Sequence, residues 1–575
     1  MKTILLAFLC MLFTATISAQ SENTVTGKTD AEILQKIDQL IEPYNNSTTP
    51  GGVIMVMREG SVVFQKSFGM ANLQHDIPFT LETKTNIGST SKQFTAFAIA
   101  LLRQKGQLNL TDDIRKYFPE LPDLGHTVTL AHLISHTSGY REIFNTLMMS
   151  GMDISDQIRR SEVIPLVQRQ PELQNVPGDV WNYNNTGYIL LAMVVEKITG
   201  EPFDKWMMEN VFVPLDMKNT TVRMDPRHII KSSAQGYVKD DKDNYTEVMD
   251  LYTSTGAGGI YTTTGDLSKW IGNYLNPVLG DKSVVEQMTT PYILNSGEKT
   301  NYGMGLITDR LNGLERFQHG GADIAHRSHF YVFPTLGGAV VFLSNNAQIS
   351  QEIPVKVAEL FFADVMDVKS TDEFNYDQVY TEFKPEIFDD FAGRFALEVA
   401  PDFIMEYTRE GSRFYAQATG QPRFEIFPGS DSTFFLRVVR AGITFHRNEE
   451  GKVNTMTLHQ NGKVRANRIM EVQWQPSADE ITSYTGKYFS EELESYYTVT
   501  LNDDNKLVLR HRRTGDILLK ENKRDEFNGT MPISVVSFIR DTENRITGFK
   551  ASNGRAINVQ FVKLPPAPPA SADKI

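Results

Sequence analysis

The sequence predicts an α+β domain, with an antiparallel sheet and a helical region, followed by two small all-β barrel domains. Three observations carry that prediction. Strand-like runs and a helix stand at each end of residues 25–368 and enclose a mostly helical middle. Near residue 370 the composition changes to short strands rich in Phe, Tyr and Val, separated by Gly, Asn and Asp. The C-terminal part then repeats itself at a fixed offset. At 575 residues the chain is too long for one hydrophobic core, so several domains are expected.

The first element is Met-Lys, the apolar run Ile4 to Phe13 and the small and polar stretch Thr14 to Ala19. This is the pattern of a secretory signal peptide over residues 1–19, cut after Ala19, and it predicts a periplasmic or secreted protein. An uncleaved anchor needs about 18–20 apolar residues, and this run is shorter. No stable membrane insertion is expected. Cys10, the only cysteine, lies inside the segment, so the mature chain has no thiol for a disulfide, a nucleophile or a Cys-based zinc site. Residues 30–43 place Ile33, Ile37, Leu40 and Ile41 at helical spacing, and Pro43 closes the run. Gly52 to Met57 and Val62 to Phe68 read as strands around a hairpin at Arg58 to Ser61. Phe330 to Phe333 and Ala339 to Ser344 read as strands, and Ile353 to Phe362 as a helix. Chain ends far apart in sequence can therefore share one antiparallel sheet.

In the C-terminal part, Phe391-Ala-Gly-Arg-Phe395 matches Tyr484-Thr-Gly-Lys-Tyr488, and Phe445-His-Arg447 matches Phe538-Ile-Arg540. Val453 and Ile546 share the same offset of 93 residues. One offset at three places indicates a duplicated β-domain. We divide it into a linker at 369–384, repeats at 385–474 and 477–564, and an extended or disordered Pro-rich tail at 565–575. Closure into barrels is the usual way for such short strands to lose their edges. Hydrophobic residues at 41% and charged residues at 22% fit a soluble folded protein. A formal charge of −13 excludes a nucleic-acid surface, which needs clustered Lys and Arg.

Three short elements carry chemistry. Gly88-Ser89-Thr90-Ser91-Lys92 precedes Phe94, Phe97, Ala98, Leu101 and Leu102, the spacing of a buried helix ending near Gly106. Ser89 and Lys92 then share a helix face in the first turn, where the helix dipole and burial both disfavour the charged amine. Taken singly, Ser89 reads equally as an N-cap and Lys92 as a solvated side chain. The second element is Trp181-Asn-Tyr183-Asn-Asn185 in a loop before an apolar helix, which puts a phenol and an amide near one cleft. Alone it is a turn with an aromatic anchor. The third is His319-Gly320-Gly321-Ala322, just before strand-like sequence. Paired glycines let a substrate approach a sheet edge, and the Ala322 amide can join that of Ser89 as an oxyanion donor. Gly-Gly is otherwise a plain turn. His319, His326 and His329 are close in sequence, but alternation along a strand keeps three imidazoles from converging on a metal. Neither a metal nor a cofactor is expected.

The order Ser-x-x-Lys, Tyr-x-Asn, His-Gly-Gly, with Leu133-Ile-Ser-His-Thr-Ser-Gly139 and Gly258-Gly-Ile-Tyr-Thr-Thr-Thr-Gly-Asp-Leu267 between them, resembles the beta-lactamase-related serine hydrolases. That group includes class C beta-lactamases, D-alanyl carboxypeptidases, D-aminopeptidases and esterases. The resemblance covers about residues 30–365 and implies a beta-lactamase/transpeptidase-like catalytic domain. The sequence departs from the Ser-Asp-Asn and Lys-Thr-Gly elements of related enzymes at Tyr183-Asn-Asn185 and His319-Gly-Gly321. The missing lysine weakens the beta-lactamase reading.

By resemblance, Ser89 attacks the carbonyl, Lys92 and Tyr183 share its proton, and Asn185 orients the substrate amide. His319 supports the proton network, and Gly320, Gly321 and Ala322 with Ser89 border the oxyanion. The similar D-aminopeptidases carry two small lipocalin-like β-barrels after the catalytic domain. A small-molecule or short-peptide substrate is implied, with a D-aminopeptidase-like or D-Ala peptidase-like activity ranked first, then a carboxylesterase, then a beta-lactamase. A different class of function is a ligand-binding protein whose barrels capture ligand beside an inactive hydrolase domain. The sequence leaves the oligomeric state open.

Overall fold

The computed structural model describes residues 23–25, 31–153, 156–240, 242–367, 374, 376, 378–398, 400–418, 423–437, 441–460, 463–469, 474 and 476–565. The signal-peptide expectation at 1–19 and nearly all of the tail at 565–575 lie outside the described residues. Among the described residues, no helix is long and apolar enough to cross a membrane.

The catalytic sheet has seven antiparallel strands. In chain order they are β1 (Asn23–Val25), β2 (Gly52–Arg58), β3 (Ser61–Phe68), β4 (Ile307–Leu311), β5 (Leu314–Ala322), β6 (Arg327–Phe333) and β7 (Gly338–Ser344). Their spatial order is β1-β3-β2-β7-β6-β5-β4. The two ends of the domain meet where β7 pairs with β2, Val341 opposite Met55 and Phe342 opposite Ile54. The run Gly52-Val-Ile-Met-Val-Met57 is buried on both faces, which explains why it is continuously apolar rather than alternating. Val53, Met55, Val341 and Leu343 face one core. Ile54, Val56, Val340 and Phe342 face another, beneath helices α1 (Ala31–Ile41) and, later in the chain, Ile353–Phe361. On the first face lies α2 (Lys92–Gln104), whose residues Lys92 to Leu102 are all buried.

Two features differ from the sequence reading. Ser89 lies in a 3₁₀ turn, Gly88–Ser91, and the α-helix starts only at Lys92. His319-Gly-Gly321 lies within β5 rather than ahead of a strand, because its pairing with β6 continues to Ala322 opposite Arg327.

The C-terminal part forms two barrel-like sheets. Eight strands between Gly393 and Arg468 close into a barrel whose inside is filled by Phe388, Phe391, Phe395, Phe414, Phe434 and Phe445. Nine strands between Gly486 and Lys563 form a nearly closed sheet filled by Tyr484, Tyr488, Phe527, Phe538, Phe549 and Phe561. Part of the expected linker packs on the first barrel: Phe374 is buried against Gly442 and His459, and the Tyr380 amide donates to Pro428 O. Aromatic side chains at these positions leave water, so the segment adheres instead of spanning.

Candidate active site

The nucleophile turn is wedged against the edge of β5. Gly88 takes φ +49°, and a Cβ there would lie 2.7 Å from the Ala322 nitrogen. A Cβ on Gly321 would lie 2.0 Å from the Ile87 oxygen. Glycine at both positions is what lets the two backbones touch, and so brings the Ser89 and Ala322 amides to one rim. Side chains lock the seam. Ser328 Oγ donates to Ile87 O at 2.8 Å, and Thr90 Oγ1 donates to His319 O at 3.2 Å. Ser89 is half-buried and opens on a cleft of about 910 Å³.

Lys92 is wholly buried, with Nζ 3.1 Å from Ser89 Oγ, 2.8 Å from Asn185 Oδ1 and 2.8 Å from Ala257 O. Burial pushes its pKa well below the ordinary lysine value; Glu142 opposes that shift and Arg555 adds to it. A neutral amine has two N–H bonds. With these on Asn185 Oδ1 and Ala257 O, the neutral form would turn its lone pair toward the Ser89 hydroxyl, to which the charged form donates its third hydrogen. The arrangement is therefore suited to removing the Ser89 proton.

Tyr183 lies immediately before the helix Asn185–Thr199, which Asn184 caps by accepting from the Gly187 amide. Lys92 Nζ sits 4.8 Å from the centre of the Tyr183 ring, and the Arg555 guanidinium 4.9 Å from it. Burial raises the pKa of the phenol, while the neighbouring Ser89 and the Arg555 charge act to lower it. The Tyr183 hydroxyl is buried and completes no hydrogen bond of normal geometry. It is close enough to Ser89 for that side chain to act on its titration. Burial outweighs both influences, so the phenol holds its proton in the resting enzyme, with the Arg555 charge beside the ring.

Asn185 lines the cleft beside Ser89. Its Oδ1 accepts from Lys92, and its Nδ2 donates to Glu142 Oε1 at 2.7 Å, so the amide holds the lysine whatever else it meets in the cleft. Glu142 in turn accepts from the Asn145 amide at the start of the helix Ile143–Met149. The chain Glu142, Asn185, Lys92, Ser89 fixes the amine.

His319 is buried, with Nε2 3.2 Å from the Tyr302 hydroxyl and Nδ1 2.6 Å from Gly320 O. Burial, helped by the Lys92 charge, pushes its pKa down to about 3, so the ring is neutral at physiological pH. His326 pairs with Asp323 and His329 with Gln351, so the three histidines take separate partners.

Sequence reasoning missed Glu142, Tyr302, His136 and Arg555. His136 lies within the quoted Leu133 to Gly139 segment; its ring centre is 4.3 Å from that of Tyr183, and Nδ1 accepts from the Asn184 amide. Arg555 comes from the second barrel. No spacing rule links it to Ser89.

Comparison with known proteins agrees with this geometry. The Beta-lactamase family model matches residues 37–355, more than half of the chain. The chain is 26% identical over 445 residues to Penicillin-binding protein 4* of Bacillus subtilis (strain 168), covering 74% of this chain and 96% of that protein. It is 30% identical over 287 residues to the Putative penicillin-binding protein PbpX of the same strain, covering 49% and 68%. Among solved structures, the octameric penicillin-binding protein homologue from Pyrococcus abyssi shares the fold, with a TM-score of 0.54, 23% identity and coverage of 76% and 99%. The chain therefore belongs to the beta-lactamase family and is a serine hydrolase of the kind that family shares with the penicillin-binding proteins.

Proposed function

We propose that this hydrolase is exported and cleaves the amide bond of short peptides carrying a D-residue at that bond, through an acyl-enzyme on Ser89. The carrying observation is the 3.1 Å approach of the buried Lys92 amine, held also by Asn185 Oδ1 and Ala257 O, to Ser89 Oγ. Ser89 Oγ attacks the carbonyl and its proton passes to the Lys92 and Tyr183 pair. These act as one coupled unit. The amides of Ser89 and Ala322 hold the oxyanion. Tyr183 hands the proton to the leaving nitrogen, and water then releases the acyl group by the reverse path. Asn185 and Glu142 position Lys92, and His319 buttresses the cleft through Tyr302. The D-stereochemistry is supported by the family resemblance, and export by the Met1 to Ala19 pattern.

Intact mass after exposure to a penicillin or a fluorophosphonate is expected to show one adduct, absent in Ser89→Ala. Lys92→Ala and Tyr183→Phe are expected to lower kcat by on the order of 10²-fold or more, with losses that do not add. An adduct that persists in Ser89→Ala overturns the assignment. A panel of D- and L-residue amides tests the stereochemistry, and equal kcat/KM for both series counts against it.

A further inference from the structure

Arg555 is the one cation that the second barrel presents to the cleft around Ser89 and Tyr183 among the residues lining it. Three features set it apart. It is held: the Arg141 guanidinium donates to Ile557 O and Asn558 O, Asn145 Nδ2 donates to Asn553 O, and Asn553 Nδ2 returns a bond to Asn145 O. Asn182 Nδ2 donates to the carbonyl of Arg555 itself. It is aimed: the guanidinium lies over the Tyr183 ring at 4.9 Å while remaining exposed to the cleft. It is uncompensated: Arg141, Arg169 and Arg513, which line or cross the same domain interface, pair with Glu492, Glu494 and Asp156, whereas no carboxylate among the described residues comes within ion-pairing distance of Arg555.

None of the acids lining the cleft, Asp153, Asp250 and Asp323, makes an ion pair with it among the described residues; Asp250 is paired with Arg223, and Asp323 with His326. The other arginine of the cleft, Arg327, donates to the carbonyls of Asp323 and His326 and lies beside the Asp323 carboxylate, so its charge is partly matched. β5 itself offers only the neutral His319 at the corresponding edge. The cleft thus has one free, pre-positioned guanidinium, and it stands on the Tyr183 side of the nucleophile.

We propose that Arg555 binds the carboxylate of the substrate's leaving residue, which makes the enzyme prefer short peptides with a free C-terminal carboxylate. The inference rests on the role given to Tyr183 above. If Tyr183 protonates the leaving nitrogen, the group lying over its ring belongs to the leaving residue, and in a C-terminal residue the carboxylate is two bonds from that nitrogen. A planar guanidinium with an open edge meets a carboxylate by two parallel hydrogen bonds. The specificity group would then be lent to the catalytic domain by a domain that carries no bond-breaking chemistry.

The test uses the full chain and matched peptide pairs that differ only in a C-terminal carboxylate or carboxamide, with a neutral activated ester as a separate substrate. In the unaltered enzyme kcat/KM is expected to favour the carboxylate about tenfold to a hundredfold, mainly through KM. In Arg555→Gln that ratio falls toward one, Arg555→Lys restores part of it, and Arg327→Gln retains it. An unaltered enzyme that turns over the ester but shows no carboxylate preference overturns the proposal and leaves the serine-hydrolase reading standing. So does an Arg555→Gln enzyme with its ratio intact, or loss of the ratio in Arg327→Gln. No turnover of any ester or peptide, with no adduct on Ser89, removes the functional reading and this inference with it.

Discussion

The two barrels share their internal construction rules and differ in what they touch. In each, a glycine with positive φ opens the first strand: Gly393 at +138° beneath Arg468, and Gly486 at +146° beneath Lys563. In each, an arginine follows a bulge and covers the aromatic residue two positions before that glycine, Arg447 over Phe391 at 5.2 Å and Arg540 over Tyr484 at 5.3 Å. Those residues are the ones related by the offset of 93. The surfaces have diverged. The first barrel reaches the second through Arg394 and Asn522. The second docks on residues 141–183 of the catalytic domain: Tyr497 donates to Met149 O, Arg169 to Glu492 O, and Met149 is buried in the barrel's own core. A duplicated fold can hold its packing fixed while one copy acquires a partner.

The sharpest way to break this contrast is to unseat each barrel. Arg141 is fully buried and ties Glu492, Ile557 and Asn558 to the catalytic domain, directly before Glu142. Arg141→Ala is expected to destabilise by about 3–5 kcal/mol and, through displaced Glu142, to lower kcat/KM by on the order of a hundredfold. Phe434→Ala in the first barrel removes a ring from a filled core and is expected to cost about 3–5 kcal/mol in that barrel. Turnover at 25 °C should stay near normal. If calorimetry and kinetics move together in both variants, the barrels do not differ in the way described.

A smaller effect is pH-dependent. Arg141 Nη1 stands 3.2 Å from Glu492 Oε1, near enough for an ion pair, yet neither carboxylate oxygen receives a hydrogen bond. Burial, only partly offset by Arg141, raises Glu492 from 4.5 to about 7. A raised acid binds more protons folded than unfolded between those values. Its contribution is full below about pH 4.5 and is lost as pH rises through 7, on the order of 3 kcal/mol. The melting temperature should therefore fall more between pH 5 and 8 in the unaltered protein than in Glu492→Gln. Parallel curves would exclude Glu492 as the titrating group. Tyr497→Phe should remove about 1 kcal/mol of docking, read as earlier proteolysis of the second barrel. The smallest change is Arg394→Ala at the barrel–barrel contact, expected within ~0.5 kcal/mol and silent in kcat/KM.

Much of this was legible in the chain because the signals were local. Gly52 to Met57, Val62 to Phe68 and Ile353 to Phe362 follow the periods of strand and helix, and Ser89, Lys92 and Tyr183 stand out through the order and company of their elements. Leu314 to Ala322 was hidden, since polar Glu315, Arg316, Gln318 and His319 and the adjacent Gly320 and Gly321 leave it only Leu314 and Phe317 as large apolar residues. Glu142 and Arg555 were illegible for another reason. Each meets the site through a contact made only by folding, with Asn185 for the first and Tyr183 for the second. The hold of Asn185 on Lys92 was hidden on the same ground, since it too is made only by the fold.

Because the cleft is walled by two domains, occupancy and docking are thermodynamically reciprocal. Any ligand that bridges Ser89 and Arg555 must hold the second barrel in place by the same factor by which the docked barrel tightens the ligand. On the binding mode proposed for Arg555, the barrel would act as a second effector of the active site, tethered to it at high local concentration.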